Sequence, residues 1–233
     1  MKKYLIFIFL LFFVSETYAT DFPILMYHHI RPGKWKNKIA KDLSCEPDIF
    51  INHLNEIRQR GYTTITFKDM MNKRIVSKPI VLTFDDGLSS QWWAFEELTR
   101  RNMVGVFFVI VKCVGGKQYL NQNQLRVIAK SGMEIGSHSI THCDLTKVGQ
   151  HRLEVEVNES KKLLEELVGV KIISFCYPYG RYNKNILNVL YKSEYYYART
   201  TNEWLANVYS GRNFELPIVY IHNYTKELSK WLH

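Results

Sequence analysis

Residues 79–87 read Pro79-Ile80-Val81-Leu82-Thr83-Phe84-Asp85-Asp86-Gly87. A nearly continuous apolar run of this length is a strand covered on both faces. Two acids at its end are unusual, because each disfavours ionisation of the other and both lose solvent. Gly87 lets the backbone turn directly afterwards. Adjacent strand residues point different ways, so one carboxylate can hold a cation while the other faces a reacting water. A helix cap beside a solvated acid is the alternative. Similar runs recur at 23–28, 104–110, 133–137, 172–177, 195–199 and 217–222. Between them, apolar residues return at helical spacing over 48–60, 90–101, 122–131, 149–168 and 184–193, several ending at a glycine. This alternation predicts an α/β chain of about seven parallel strands with helices outside, as a barrel or a doubly wound sheet. In either, chemistry gathers at the carboxyl ends of the strands.

Three further clusters fall at such ends. Gly136-Ser137-His138-Ser139-Ile140-Thr141-His142 follows the run 133–137. On a helical turn, His138 and His142 share one face and suit a common metal ion. With a carboxylate from a neighbouring strand they make a two-His, one-carboxylate set that leaves positions open for water and substrate. Phe175-Cys176-Tyr177-Pro178-Tyr179-Gly180 is a rigid loop wall whose backbone N–H groups can face an oxyanion. Met26-Tyr27-His28-His29 closes the first strand, and a histidine there suits general acid work near neutral pH. Residues 31–47, with four lysines and Trp35, break the rhythm and are expected to overhang the same face.

Together, T-F-D-D-G at 83–87, H-S-x-x-H at 138–142, F-x-Y-P-Y-G at 175–180 and L-M-Y-H-x-I at 25–30 resemble polysaccharide deacetylases with a NodB-type domain, carbohydrate esterase family 4. The likeness runs from residue 23 to about 222 and is nearest to the permuted relatives that act on poly-β-1,6-N-acetylglucosamine. It implies a distorted (β/α) barrel in which Asp86, His138 and His142 hold a divalent metal, most often Zn2+. It makes Asp85 the general base and gives the oxyanion the backbone N–H of Tyr179. It places the general acid at His28, as in the permuted relatives, with His222 the alternative from a partial C-terminal Leu-x-His match. Cys176 stands where the family usually has an arginine, and Arg212 is expected to take that arginine's place beside Asp85. The implied reaction removes N-acetyl groups from an N-acetylhexosamine-containing envelope or extracellular polysaccharide. Trp35, Trp92 and Tyr179 are candidates to line its groove, while Trp93 and most of Tyr195 to Tyr197 are expected to pack inside.

The N-terminus supplies an address. Lys2 and Lys3 precede an apolar run from Leu5 to Val14 and the segment S-E-T-Y-A, which predicts a signal peptide over 1–19 and a deacetylase domain over 20–233. The run is about half of a membrane span; an uncleaved anchor is the alternative. The protein is therefore expected in the periplasm or outside the cell. The 233 residues carry a net charge of +9, which suits an anionic envelope surface, and export sets nucleic acid aside. A monomer is expected. Cys45, Cys113, Cys143 and Cys176 form no C-x-x-C array, so one disulfide or none is expected. The competing functions are an amide hydrolase for a small or lipid-linked sugar, and a glycan-binding module without turnover.

Overall fold

The computed structural model describes residues 21–33, 37–74, 76–207 and 210–232. The expected leader at 1–19 and Trp35 lie outside them. Seven strands, β1 (Ile24–Tyr27), β2 (Pro79–Phe84), β3 (Val106–Val109), β4 (Glu134–Ser137), β5 (Ser174–Cys176), β6 (Tyr197–Glu203) and β7 (Leu216–Tyr220), pair in parallel in chain order. The barrel closes where β1 pairs with β7 on one side, Val219 opposite Leu25, and with β2 on the other, Leu25 opposite Leu82. All seven overlap the predicted apolar runs, although β6 continues past residue 199 through polar residues to Glu203. A two-residue strand, Thr63–Thr64, adds to the outside of β2.

Helices α1 (Pro47–Gln59), α2 (Gln91–Arg100), α3 (Gln122–Lys130), α4 (residues 150–168) and α5 (Lys184–Lys192) cover the outside. Among the described residues, no helix is long and apolar enough to cross a membrane. Strand alternation divides the core in two. Leu25, Tyr27, Leu82, Phe84 and Phe107 pack outward against Phe50, Leu54, Phe95 and other helix residues. Ile24, Met26, Val81, Val106, Phe108 and Cys176 pack inside the barrel. Gly136 on β4 is obligatory, because a Cβ there would meet the Phe108 ring at 2.5 Å. Trp93 packs on Phe50, as expected. Trp92 does not face a groove: it lies on the outer helix layer, against Phe95 at 5.0 Å, with its indole N–H donated to Glu96. Two tryptophans in sequence on a helix are only about 100° apart, so both reach the barrel-facing side. All four cysteines are free thiols.

The lower barrel holds one buried acid. Glu134 accepts hydrogen bonds from Ser174 Oγ at 2.5 Å and from the Lys68 backbone N–H at 2.8 Å. Burial pushes its carboxyl up from 4.5 to about 7, against the opposing effect of those bonds. A raised folded-state value means that Glu134 adds stability in full below pH 4.5, and this is lost as pH rises through 7. Glu134→Gln, which keeps a carbonyl for Lys68 and an amide for Ser174, is expected to leave melting unchanged at pH 5. At pH 8.5 it should stabilise by about 3 kcal/mol. Thermal melts at the two pH values check this, and a gain that is equal at both would contradict it.

Candidate active site

The interior alternation carries on past the last ladder bonds and builds the site. On β1, Ile24 and Met26 point inward and His28 is next in phase. On β2, Val81 and Thr83 lead to Asp85. On β4, Glu134 and Gly136 lead to His138, and on β5 Ser174 leads to Cys176. Tyr197 leads to Arg199 on β6, where Arg199 lies opposite Cys176. The backbone ladder runs on here, with Asp85 N–H donating to Tyr27 O at 2.9 Å and His138 N–H to Val109 O at 3.0 Å. Gln91, buried at the start of α2, clamps two of these strand ends. Its amide donates to the carbonyls of His28 (3.1 Å) and Asp85.

Asp85 is buried and doubly engaged. Its Oδ1 pairs with the guanidinium of Arg199, itself fully buried. Its Oδ2 faces His28 Nε2 at 3.7 Å and Cys176 Sγ at 3.7 Å. Burial pushes the carboxyl up, but Arg199 first, then His28 and His138, outweigh it and hold Asp85 at about 2. Arg199 also donates to Thr200 O at 3.2 Å and lies over the Phe108 ring. Arg212, expected in this position, is exposed instead. Arg199 reaches Asp85 because it lies in the inward phase of β6, two places after Tyr197 and opposite Cys176.

Asp86 turns out of the barrel with φ +75, so its carboxylate leaves the interior row and meets the two histidines. Its Oδ1 lies 3.5 Å from His138 Nε2 and 3.8 Å from His142 Nε2, and the three ligand atoms fall within 4.8 Å of one another. The other ring nitrogen of His138 lies 2.8 Å from Cys176 O. A carbonyl only accepts, so Nδ1 carries the hydrogen and Nε2 is left with its lone pair free to ligate. Burial brings His138 down to about 4, which keeps it neutral. Two imidazole nitrogens and one carboxylate oxygen, partly open at the barrel mouth, suit a borderline divalent cation with free coordination positions.

The two histidines do not converge on a helical turn. Residues 138–142 form an irregular loop with Ser139 at φ +64 and His142 at φ +60. Glu156, fully buried, holds that loop. Its carboxylate accepts from the backbone N–H of Ile140 (2.8 Å) and of Thr141 (2.9 Å) and from the Thr141 hydroxyl (2.6 Å). It sits in a π-helical turn, Val155–Glu159, within α4, a local widening common at functional sites. Tyr179, at φ +59, is exposed, and its ring meets His142 edge-on at 4.7 Å. His222 is sandwiched between Tyr220 (4.2 Å) and Tyr224 (4.7 Å). Of the two histidines considered as acid, His28 is the one that faces Asp85.

A closed (β/α) barrel with an acid pair and two histidines at its mouth defines the NodB-type class of carbohydrate-active enzyme. The chain belongs to the polysaccharide deacetylase family, whose profile matches residues 72–198. It is 30% identical over 191 residues to YxkH of Bacillus subtilis (strain 168), provisionally named a polysaccharide deacetylase, covering 79% of this chain and 66% of that one. It is 28% identical over 134 residues to the peptidoglycan-N-acetylglucosamine deacetylase PgdA of Listeria monocytogenes (strain 10403S), covering 57% of this chain and 28% of PgdA. The chain thus spans just under two thirds of the first relative and little over a quarter of the second. Among solved structures, the Streptococcus pyogenes deacetylase PplD, in complex with acetate, superposes with a TM-score of 0.84 at 25% identity, over 91% of this chain and 98% of PplD.

Proposed function

We propose that the protein is an exported, monomeric, metal-dependent hydrolase that removes N-acetyl groups from an N-acetylhexosamine-containing envelope polymer. The observation that carries this reading is the convergence of Asp86, His138 and His142 within 4.8 Å, beside the ionised carboxylate of Asp85. The family, and the N-acetylglucosamine named for PgdA, support the substrate class.

Asp86, His138 and His142 would hold the divalent ion, with Zn2+ the best match to the donor set. When bound, such an ion polarises an amide carbonyl and acidifies water. Asp85 then accepts the proton of the attacking water on Oδ2, the oxygen that Arg199 leaves free. The Tyr179 N–H donates to the oxygen that gains charge. His28 Nε2 gives a proton to the departing nitrogen as the C–N bond breaks, which yields acetate and a free amine. The exposed rings of Tyr179 and Tyr224 offer faces for neighbouring sugars. Near Tyr224 a cavity of about 820 Å³ is lined also by Asn37, Lys38 and Asn223.

The test is acetate release from chitin oligomers, β-1,6-linked N-acetylglucosamine oligomers and peptidoglycan fragments, with and without a chelator. Release from at least one substrate, lost on chelation and restored by a divalent ion, is expected. No release from any of them, or a full rate after exhaustive chelation, would overturn the reading.

A further inference from the structure

His138 stands at the centre of two ligand sets. One is Asp86–His138–His142; the other is Asp85–His138–Cys176, also with its ligand atoms within 4.8 Å of one another. In the second set Cys176 Sγ lies 3.9 Å from His138 Nε2 and 3.7 Å from Asp85 Oδ2. A tetrahedral zinc-sized ion needs edges of about 3.6 Å between sulfur and nitrogen or oxygen, and about 3.3 Å between nitrogen and oxygen. The two sulfur edges of the second set therefore come as near to ligating lengths as the two edges to Asp86 in the first, which are 3.5 and 3.8 Å. Arg199 does not block it, because its ion pair uses Oδ1 of Asp85 and leaves Oδ2 toward the thiol.

We propose that Asp85, His138 and Cys176 form an alternative cation site that takes thiophilic ions and switches the enzyme off. The sets differ in softness: one thiolate among the donors favours Cd2+ or Cu+ over harder ions, whereas the first set has only nitrogen and oxygen. They also exclude each other, because Nε2 of His138 has a single lone pair. On binding, the Sγ–H bond of Cys176 breaks heterolytically, its electron pair forms the sulfur–metal bond, and the proton leaves to solvent. No electron is exchanged. An ion there takes both His138 and the free oxygen of Asp85. Only this inhibition rests on the hydrolase reading above; the site itself does not.

The test uses the full chain with Cys45, Cys113 and Cys143 changed to Ser, so that Cys176 is the one thiol, and Cd2+ as probe. A thiolate-to-cadmium ultraviolet band that saturates at one equivalent is expected. Asp86→Ala in that background, with the thiol in place, keeps the band, and His138→Ala weakens binding at least tenfold. Replacing Cys176 by Ser abolishes the band, while equilibrium dialysis still finds one bound ion. In the activity assay Cys176→Ser raises the inhibitory Cd2+ concentration at least tenfold. Absence of the band in the single-thiol chain, or a band indifferent to His138→Ala, overturns the site. Since the band is read without substrate, a failure of acetate release alone would defeat the hydrolase reading and leave this one standing.

Discussion

Asp85→Asn is expected to lower acetate release by roughly 10²- to 10⁴-fold, the usual worth of a positioned proton-transfer group. Asparagine preserves shape and can still hydrogen-bond, but its side chain takes no proton from water at working pH. Bound metal, measured by elemental analysis, should stay near one equivalent, because the proposed ligands are Asp86, His138 and His142. Asp86→Ala should instead lose metal and activity together. The contrast separates two carboxylates that are adjacent in sequence: Asp85 keeps the inward phase of β2, whereas Asp86 leaves it through a left-handed turn. A wild-type rate for Asp85→Asn would remove Asp85 from the chemistry.

The barrel was legible because both faces of every strand are covered, which makes each strand a nearly unbroken apolar run between amphipathic helices. Pairs too short to show a period, such as His29–Ile30 with Ser44–Cys45, were not. The acid pair and the two histidines were visible as motifs. The local shape that joins them was not, since four-residue spacing reads as a helical turn. Here Ser139 and His142 take left-handed conformations that a carboxylate 14 to 17 positions further along holds in place. Nothing near residue 140 announces Glu156. Arg199 did leave a signal: a charged residue that closes the apolar run 195–199, two places after the inward Tyr197, needs a buried partner. That constraint points to an acid inside the barrel, and so to Asp85. Arg212 was drawn from position before a strand alone, which carries no such requirement. The fate of His222 was set by Tyr224, beyond the last strand, where alternation no longer says which way a ring turns.

The buried pair makes the second large effect. Arg199→Met keeps most of the side-chain volume but leaves Asp85 ionised and unpaired in the barrel, a loss of about 3–5 kcal/mol at neutral pH. The pH dependence identifies the cause. In the wild type, Asp85 is held at about 2, below its ordinary 3.8. The pair therefore contributes in full above pH 3.8, and its contribution is lost as pH falls toward 2. Without Arg199, burial is opposed only by His28 and His138, and the Asp85 carboxyl rises. A raised group favours the folded state at low pH and disfavours it as pH increases. The melting deficit of Arg199→Met should thus be largest near pH 7–8 and shrink toward pH 4. Arg199→Met combined with Asp85→Asn should recover much of the neutral-pH stability, because it removes both charges instead of one. If Arg199 served only to fill space over Phe108, the deficit would be the same at every pH and the double variant would melt no higher than the single one. In the activity profile, Arg199→Met should move the acid limb of acetate release to higher pH, since the proposed base then protonates more readily.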